Sequence, residues 1–192
     1  MPVLINIAGT NGSGKSTVVR WLLDQAATKE PLMVEGRSIP MGYDLTLPKV
    51  KGIVHVMGAY EVPTGGCDTI KNIDVAFKHL ERQNGMGKHV VYEGAFVMNM
   101  TRGPAFARAL ADPLYILLLT TPLAACFQAI AARRSEQGEG AFVQRKNIEG
   151  HHVRAQNYAA KMRQAGARVR RVSREEAPKT LWEILTEHKE TW

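Results

Sequence analysis

Cysteine is nearly absent from this chain, with only Cys67 and Cys126 among 192 residues. One sits in a loop-like stretch and the other inside a helical pattern, so two free thiols of a cytoplasmic protein are expected rather than a disulfide framework. Long apolar runs are also missing. The longest, Leu114 to Leu119, is far too short to cross a bilayer, so no membrane partner is expected. No basic leader or cleavage site precedes the first glycine-rich stretch, which argues against a secretory signal. Repeats and low-complexity tracts are lacking as well. Hydrophobic residues make up 45% and charged residues 22%, the proportions of one globular domain spanning residues 1–192.

Acidic residues are in deficit, and the deficit is regional. The net charge is +7, yet the stretch from Arg133 to Arg174 alone holds eleven Lys or Arg against three Glu, an excess of eight positive charges. The remainder is near neutral. Such a concentration suits a polyanion, either a nucleotide's phosphates or a nucleic acid backbone, although a solvated basic face would have the same composition.

What is present has a clear order. Val3 to Ala8 is apolar apart from Asn6 and reads as a buried parallel strand. Val18, Val19, Leu22, Leu23 and Ala26 follow at helical spacing, predicting a helix from about Lys15 to Thr28. Residues 31–66 carry short β-like pieces broken by prolines and glycines. A helical pattern begins at Asp68, and His89 to Tyr92 and Leu114 to Leu119 read as strands. Thr121 and Pro122 are expected to supply an N-cap and a first-turn proline for a helix reaching about Arg134. A helix near 148–164, a strand near 169–172 and a last amphipathic helix close the chain. Strands alternating with helices predict a mainly parallel sheet, with ligands beyond the strands' carboxyl ends.

Between the first strand and first helix stands Gly9-Thr10-Asn11-Gly12-Ser13-Gly14-Lys15-Ser16, which satisfies the phosphate-loop pattern in its proper context. Gly9, Asn11, Gly12, Ser13, Gly14, Lys15, Ser16 and Thr17 are the expected nucleotide-binding residues, because small residues let backbone amides converge on phosphates. Lys15 offers a cation to the β and γ phosphates, and Ser16 a hydroxyl to Mg²⁺. Neither an N-K-x-D guanine reader nor an L-S-G-G-Q transporter signature is present, and the chain has no room for the extra domain of a ring ATPase. The length suits a kinase using ATP and Mg²⁺.

A kinase needs a carboxylate near the γ-phosphate. Glu93, at the end of the strand 89–92 and followed by Gly94, is the first choice as proton acceptor or magnesium ligand. Asp68, after Gly65 and Gly66, is the second, although capping the following helix would also explain it. Arg133 and Arg134, with Arg145 and Lys146 beyond a glycine-containing stretch, read as a basic lid over about 134–147 that stabilises the transferring phosphoryl. Asp44, Tyr43 and Tyr60, together with Asp68, are the expected acceptor-binding residues. Tyr92 and Phe96 are expected in the core. The pair His151 and His152 does not read as a metal site, since adjacent helical positions cannot face one ion.

The phosphate loop and overall pattern resemble the P-loop kinase superfamily. That likeness implies a three-layer α/β/α domain with a mainly parallel five-stranded sheet and a basic lid. The blocks Gly58-Ala59-Tyr60-Glu61, Gly65-Gly66-Cys67-Asp68-Thr69-Ile70 and Val90-Val91-Tyr92-Glu93-Gly94 are similar to those of small kinases encoded by bacterial viruses, some of which phosphorylate 5-hydroxymethyluracil within DNA. This likeness implies DNA containing a modified base as acceptor, in a host cytoplasm. A kinase of a free nucleoside, nucleotide or metabolite, and a nucleic-acid-stimulated ATPase, are the alternatives.

Overall fold

The Val3 to Ala8 run becomes strand β1 (Leu4–Ala8), buried along its whole length, in the computed structural model of the chain, which describes residues 1–62, 65–111, 113–138 and 143–187. After it come α1 (Lys15–Asp24), β2 (Thr28–Leu32), β3 (Gly42–Thr46), β4 (Val54–Met57), α2 (Ile73–Gly85) and β5 (His89–Glu93). The second half adds α3 (Arg102–Ala109), β6 (Leu114–Leu119), α4 (Leu123–Glu136), α5 (Arg145–Gln164), β7 (Arg168–Val172) and α6 (Ala177–Glu187).

The strands form one sheet in the order β2-β3-β4-β5-β1-β6-β7. Seven strands, rather than the five expected, are present among the described residues, and the sheet is mixed. The run from β4 to β7 is parallel throughout, whereas β2 and β3 add antiparallel pairings at one edge. Pro31 and three charged or polar neighbours made β2 illegible as a strand. An edge strand tolerates a proline because one side of it has no ladder to complete.

Helices cover both faces. On one, Val18, Val19 and Leu22 of α1 and Leu181, Ile184 and Leu185 of α6 pack on Ile5, Ile7 and Leu117. On the other, Phe77 and Leu80 of α2, Phe106 of α3 and Tyr158 of α5 pack on Leu4, Val90 and Ile116. The strands β1, β4, β5 and β6 can be apolar on both faces because neither face meets water there. Among the described residues no helix is long and apolar enough to cross a membrane. Both cysteines are buried free thiols.

Three local expectations change. Helix α1 stops at Asp24, because Ala27 already donates to the Thr46 carbonyl as the β2–β3 hairpin begins. Pro122, not Thr121, holds the N-cap position of α4, and the Thr121 hydroxyl instead donates to the Ser13 carbonyl at 2.8 Å. Asp68 lies in a short 3-10 turn (Cys67–Thr69), and α2 is capped by Asn72, whose side chain accepts from the amides of Asp74 and Val75.

Candidate active site

β1 runs directly into the loop 9–14, and α1 starts at Lys15. A tight turn is needed there, and Gly14 supplies it in the left-handed region at φ 98°; a Cβ on it would also sit 2.5 Å from Cδ of Arg174. The amino end of α1 adjoins the loop, an arrangement that offers first-turn amides and a positive dipole end to an anion. Lys15 folds back over this loop and donates to the carbonyls of Gly9 and Thr10, each at 3.1 Å. Burial pulls its ammonium below the ordinary lysine range, and the nearby Glu93 charge opposes that pull.

Glu93 closes β5 beside Ile7 of β1, so the sheet itself carries it to the loop. It is 2% exposed. The Ser16 hydroxyl donates to its Oε1 at 2.8 Å. Burial pushes the Glu93 carboxyl up to about 7, with the Lys15 charge and the Ser16 hydrogen bond offsetting part of the rise. Gly66, at φ 68°, lies against it: a Cβ there would be 2.5 Å from Glu93 Oε1. Asp68 is held beyond the end of β5, accepting from the amides of Ala95 (3.0 Å) and Phe96 (3.2 Å). Its position is thereby set by the turn that follows β5.

These groups open on one cavity of about 310 Å³. Of the residues expected from sequence, Asn11, Gly12, Gly14, Lys15, Ser16 and Thr17 line it, as do Asp68, Glu93 and Arg133. Gly9 and Ser13 stand behind the lining, within the loop. Arg134 is not on the cavity wall. Tyr60 is buried beside Gly65, which is on the wall. Tyr43 and Asp44 turn elsewhere. The Tyr43 hydroxyl donates to Glu61, and Asp44 accepts from Lys88 at 2.6 Å and lies 2.8 Å from His55 Nδ1. The expected lid over 134–147 includes residues 139–142, which lie outside the described residues. Tyr92 is fully buried and Phe96 packs at the core's margin.

Three residues escaped the sequence reading. Arg20 lines the cavity and donates to the Tyr60 carbonyl at 3.3 Å. Its position four residues after Ser16, on one helix face, was a usable signal. Arg174 lines the cavity beside Gly14, two residues past the end of β7. The rule that ligands sit beyond strand ends pointed there, once β7 is known to lie beside β6. His152 of α5 places Nδ1 3.1 Å from the Thr10 hydroxyl, tying that helix to the glycine-rich loop. No spacing signals a contact across 142 residues.

The basic excess is divided by the fold. Arg133 and Arg174 face the cavity, whereas Arg168, Arg170 and Arg171 lie on the edge strand β7. Arg168 donates to the Tyr115 hydroxyl (2.6 Å) and Arg171 to Gln156 (2.8 Å). Cations on an edge strand also discourage pairing with another chain.

A magnesium ion fits the donor set. The Ser16 hydroxyl and Glu93 carboxylate are hard oxygen donors in contact, and no group of three or more His, Cys, Asp or Glu among the described residues could hold a metal alone. Magnesium commonly takes one or two protein oxygens and completes its shell with phosphates and water.

The chain is 30% identical over 185 residues to a 5-hmdU DNA kinase of Pseudomonas phage PaMx11, covering 95% of this chain and 96% of that protein. It is 28% identical over 173 residues to a 5-hmdU DNA kinase of Bacillus phage SP10, covering 85% of this chain but 26% of that protein. A 5-hmdU DNA kinase of Delftia phage PhiW-14 is 39% identical over 70 residues, 36% of this chain and 23% of that protein. No family model matches the chain. Identity at this level along nearly the full length of the Pseudomonas phage protein shows that the chain belongs to the 5-hmdU DNA kinase family.

Proposed function

We propose that this protein transfers the γ-phosphoryl group of ATP to the hydroxymethyl oxygen of 5-hydroxymethyl-deoxyuridine in DNA, in the cytoplasm of a bacterial host. The observation that carries transfer, beyond nucleotide binding, is Glu93: a buried carboxyl pushed up to about 7, in contact with the phosphate loop through Ser16. Proton acceptors work best when they titrate near the operating pH. The acceptor follows from the full-length likeness to the Pseudomonas phage kinase.

The loop amides and Lys15 hold the β and γ phosphates, and Lys15 exchanges its two loop carbonyls for phosphate oxygens. Ser16 directly, and Glu93 through water, would hold magnesium, which would supply charge neutralisation on the triphosphate. Glu93 accepts the hydroxymethyl proton as that oxygen bonds to the γ phosphorus and the bond to the β–γ bridging oxygen breaks, leaving ADP. Asp68, fixed by two backbone amides, orients the acceptor. Arg133 and Arg174 meet charge developing on the donor side.

The test is to supply labelled ATP with DNA containing 5-hydroxymethyluracil, with unmodified DNA and with free nucleosides. Label in the modified DNA alone is expected. Label only in a free nucleoside, or only as released phosphate, would overturn the assignment of the acceptor.

A further inference from the structure

A base stacked in duplex DNA cannot reach a buried carboxylate unless it is turned out of the helix. Enzymes that do this need something to occupy the vacated place. The β2–β3 hairpin stands where such a device is required. Gly42 pairs with Met57, the last residue of β4, and the Met41 carbonyl accepts from Gly58 at 2.8 Å, so the hairpin tip (33–41) projects from the end of the sheet that carries the cavity. Arg37 of the tip donates to the carbonyl of Thr69 at 3.2 Å, one residue from Asp68 on the cavity wall.

The tip carries apolar surface that the fold does not use. Met33 is 52% and Val34 44% exposed, and they are the one adjacent pair among the exposed large hydrophobics of the described residues. Strand β2 beneath them is exposed from Thr28 to Pro31, so this arm of the hairpin, unlike β3 with its buried Tyr43 and Leu45, does not cover the core. The Arg37 amide donates to the Val34 carbonyl at 3.1 Å, with Gly36 at φ 78°, which makes the tip a tight turn. Within it Glu35 offsets Arg37, leaving the tip neutral and apolar. Lys71, exposed and two residues beyond Thr69, adds a cation beside it.

Resting on the reading of DNA as acceptor, we propose that this hairpin is a wedge for duplex DNA. Met33 and Val34 enter the stack where the acceptor nucleotide leaves it, and Arg37 and Lys71 meet the flanking phosphates. Apolar side chains inserted at a base step, with cations on the backbone beside them, are a general solution to this problem.

The test uses the full chain, labelled ATP and one oligonucleotide containing 5-hydroxymethyluracil, offered single-stranded and as a duplex. In Met33→Ser/Val34→Ser, kcat/KM on the duplex is expected to fall about tenfold or more while the single strand is phosphorylated as before. Met33→Leu/Val34→Ile should retain duplex activity, and 2-aminopurine beside the acceptor should brighten with wild type and less with the serine variant. Equal duplex rates for wild type and serine variant, or an equal loss on both substrates, would overturn the wedge alone. A wild-type protein that labels neither DNA would overturn the acceptor reading, and the wedge with it.

Discussion

Replacing Glu93 by Gln keeps the shape of the side chain at the end of β5 and removes its charge. In the folded chain this carboxyl is pushed up to about 7, from an ordinary 4.5, chiefly because burial penalises the anion. Between those two pH values the native chain therefore holds a proton that the unfolded chain has released. Stability must decline as pH rises through that window, since the native state is the one binding more protons. The full decline is about 3 kcal/mol at 1.36 kcal/mol per pH unit. Glu93→Gln should remove this component, so that urea unfolding between pH 4.5 and 7 loses the wild-type slope. The chemistry should respond in the opposite sense. Wild-type single-turnover transfer should rise with pH through an inflection near 7, as the carboxylate forms, and level off about one pH unit above it. The variant should lack that inflection and be slower by about 10²- to 10⁴-fold, with nucleotide affinity little changed because the loop and Lys15 remain. Transfer at the wild-type rate, with the inflection intact, would refute the reasoning and pass the proton to Asp68.

Lys15→Ala should leave the cooperative thermal transition in place while transfer falls by about 10²-fold or more, since it deletes the ammonium proposed to meet the phosphates; unimpaired transfer would remove Lys15 from its role. His152→Ala should weaken nucleotide binding about fivefold, the worth of one hydrogen bond to the loop, with His152→Asn restoring part of it; calorimetry showing equal affinity would sever α5 from the loop. Asp44→Asn should cost about 1–3 kcal/mol in denaturant unfolding but leave KM for the acceptor unchanged, because Asp44 faces Lys88 and His55 rather than the cavity. A raised KM in a stable variant would return Asp44 to the acceptor site.

Much of this molecule is local in origin. β1, the loop 9–16, α1 and β6 were legible because apolar runs, helical spacing and a glycine pattern each act over a few residues. Glu93 was legible for the same reason, since a carboxylate ending an apolar strand before a glycine marks a strand's carboxyl end. β2 was not, because Thr28 to Leu32 has no strand propensity of its own and is extended only through its ladder with β3. Asp68 offered two readings in sequence, helix cap or site acid. The amides of Ala95 and Phe96, nearly thirty residues on, are what turned it to the cavity.

By itself, then, the sequence determined where a glycine-rich loop joins strand to helix and which strand ends in a carboxylate, since short-range pattern dictates both. Only the tertiary structure decided that Arg174 and His152 would meet that loop. Long-range packing also put an exposed hairpin tip beside the cavity. Contacts between distant segments depend on how the sheet is ordered, and no spacing along the chain encodes that order.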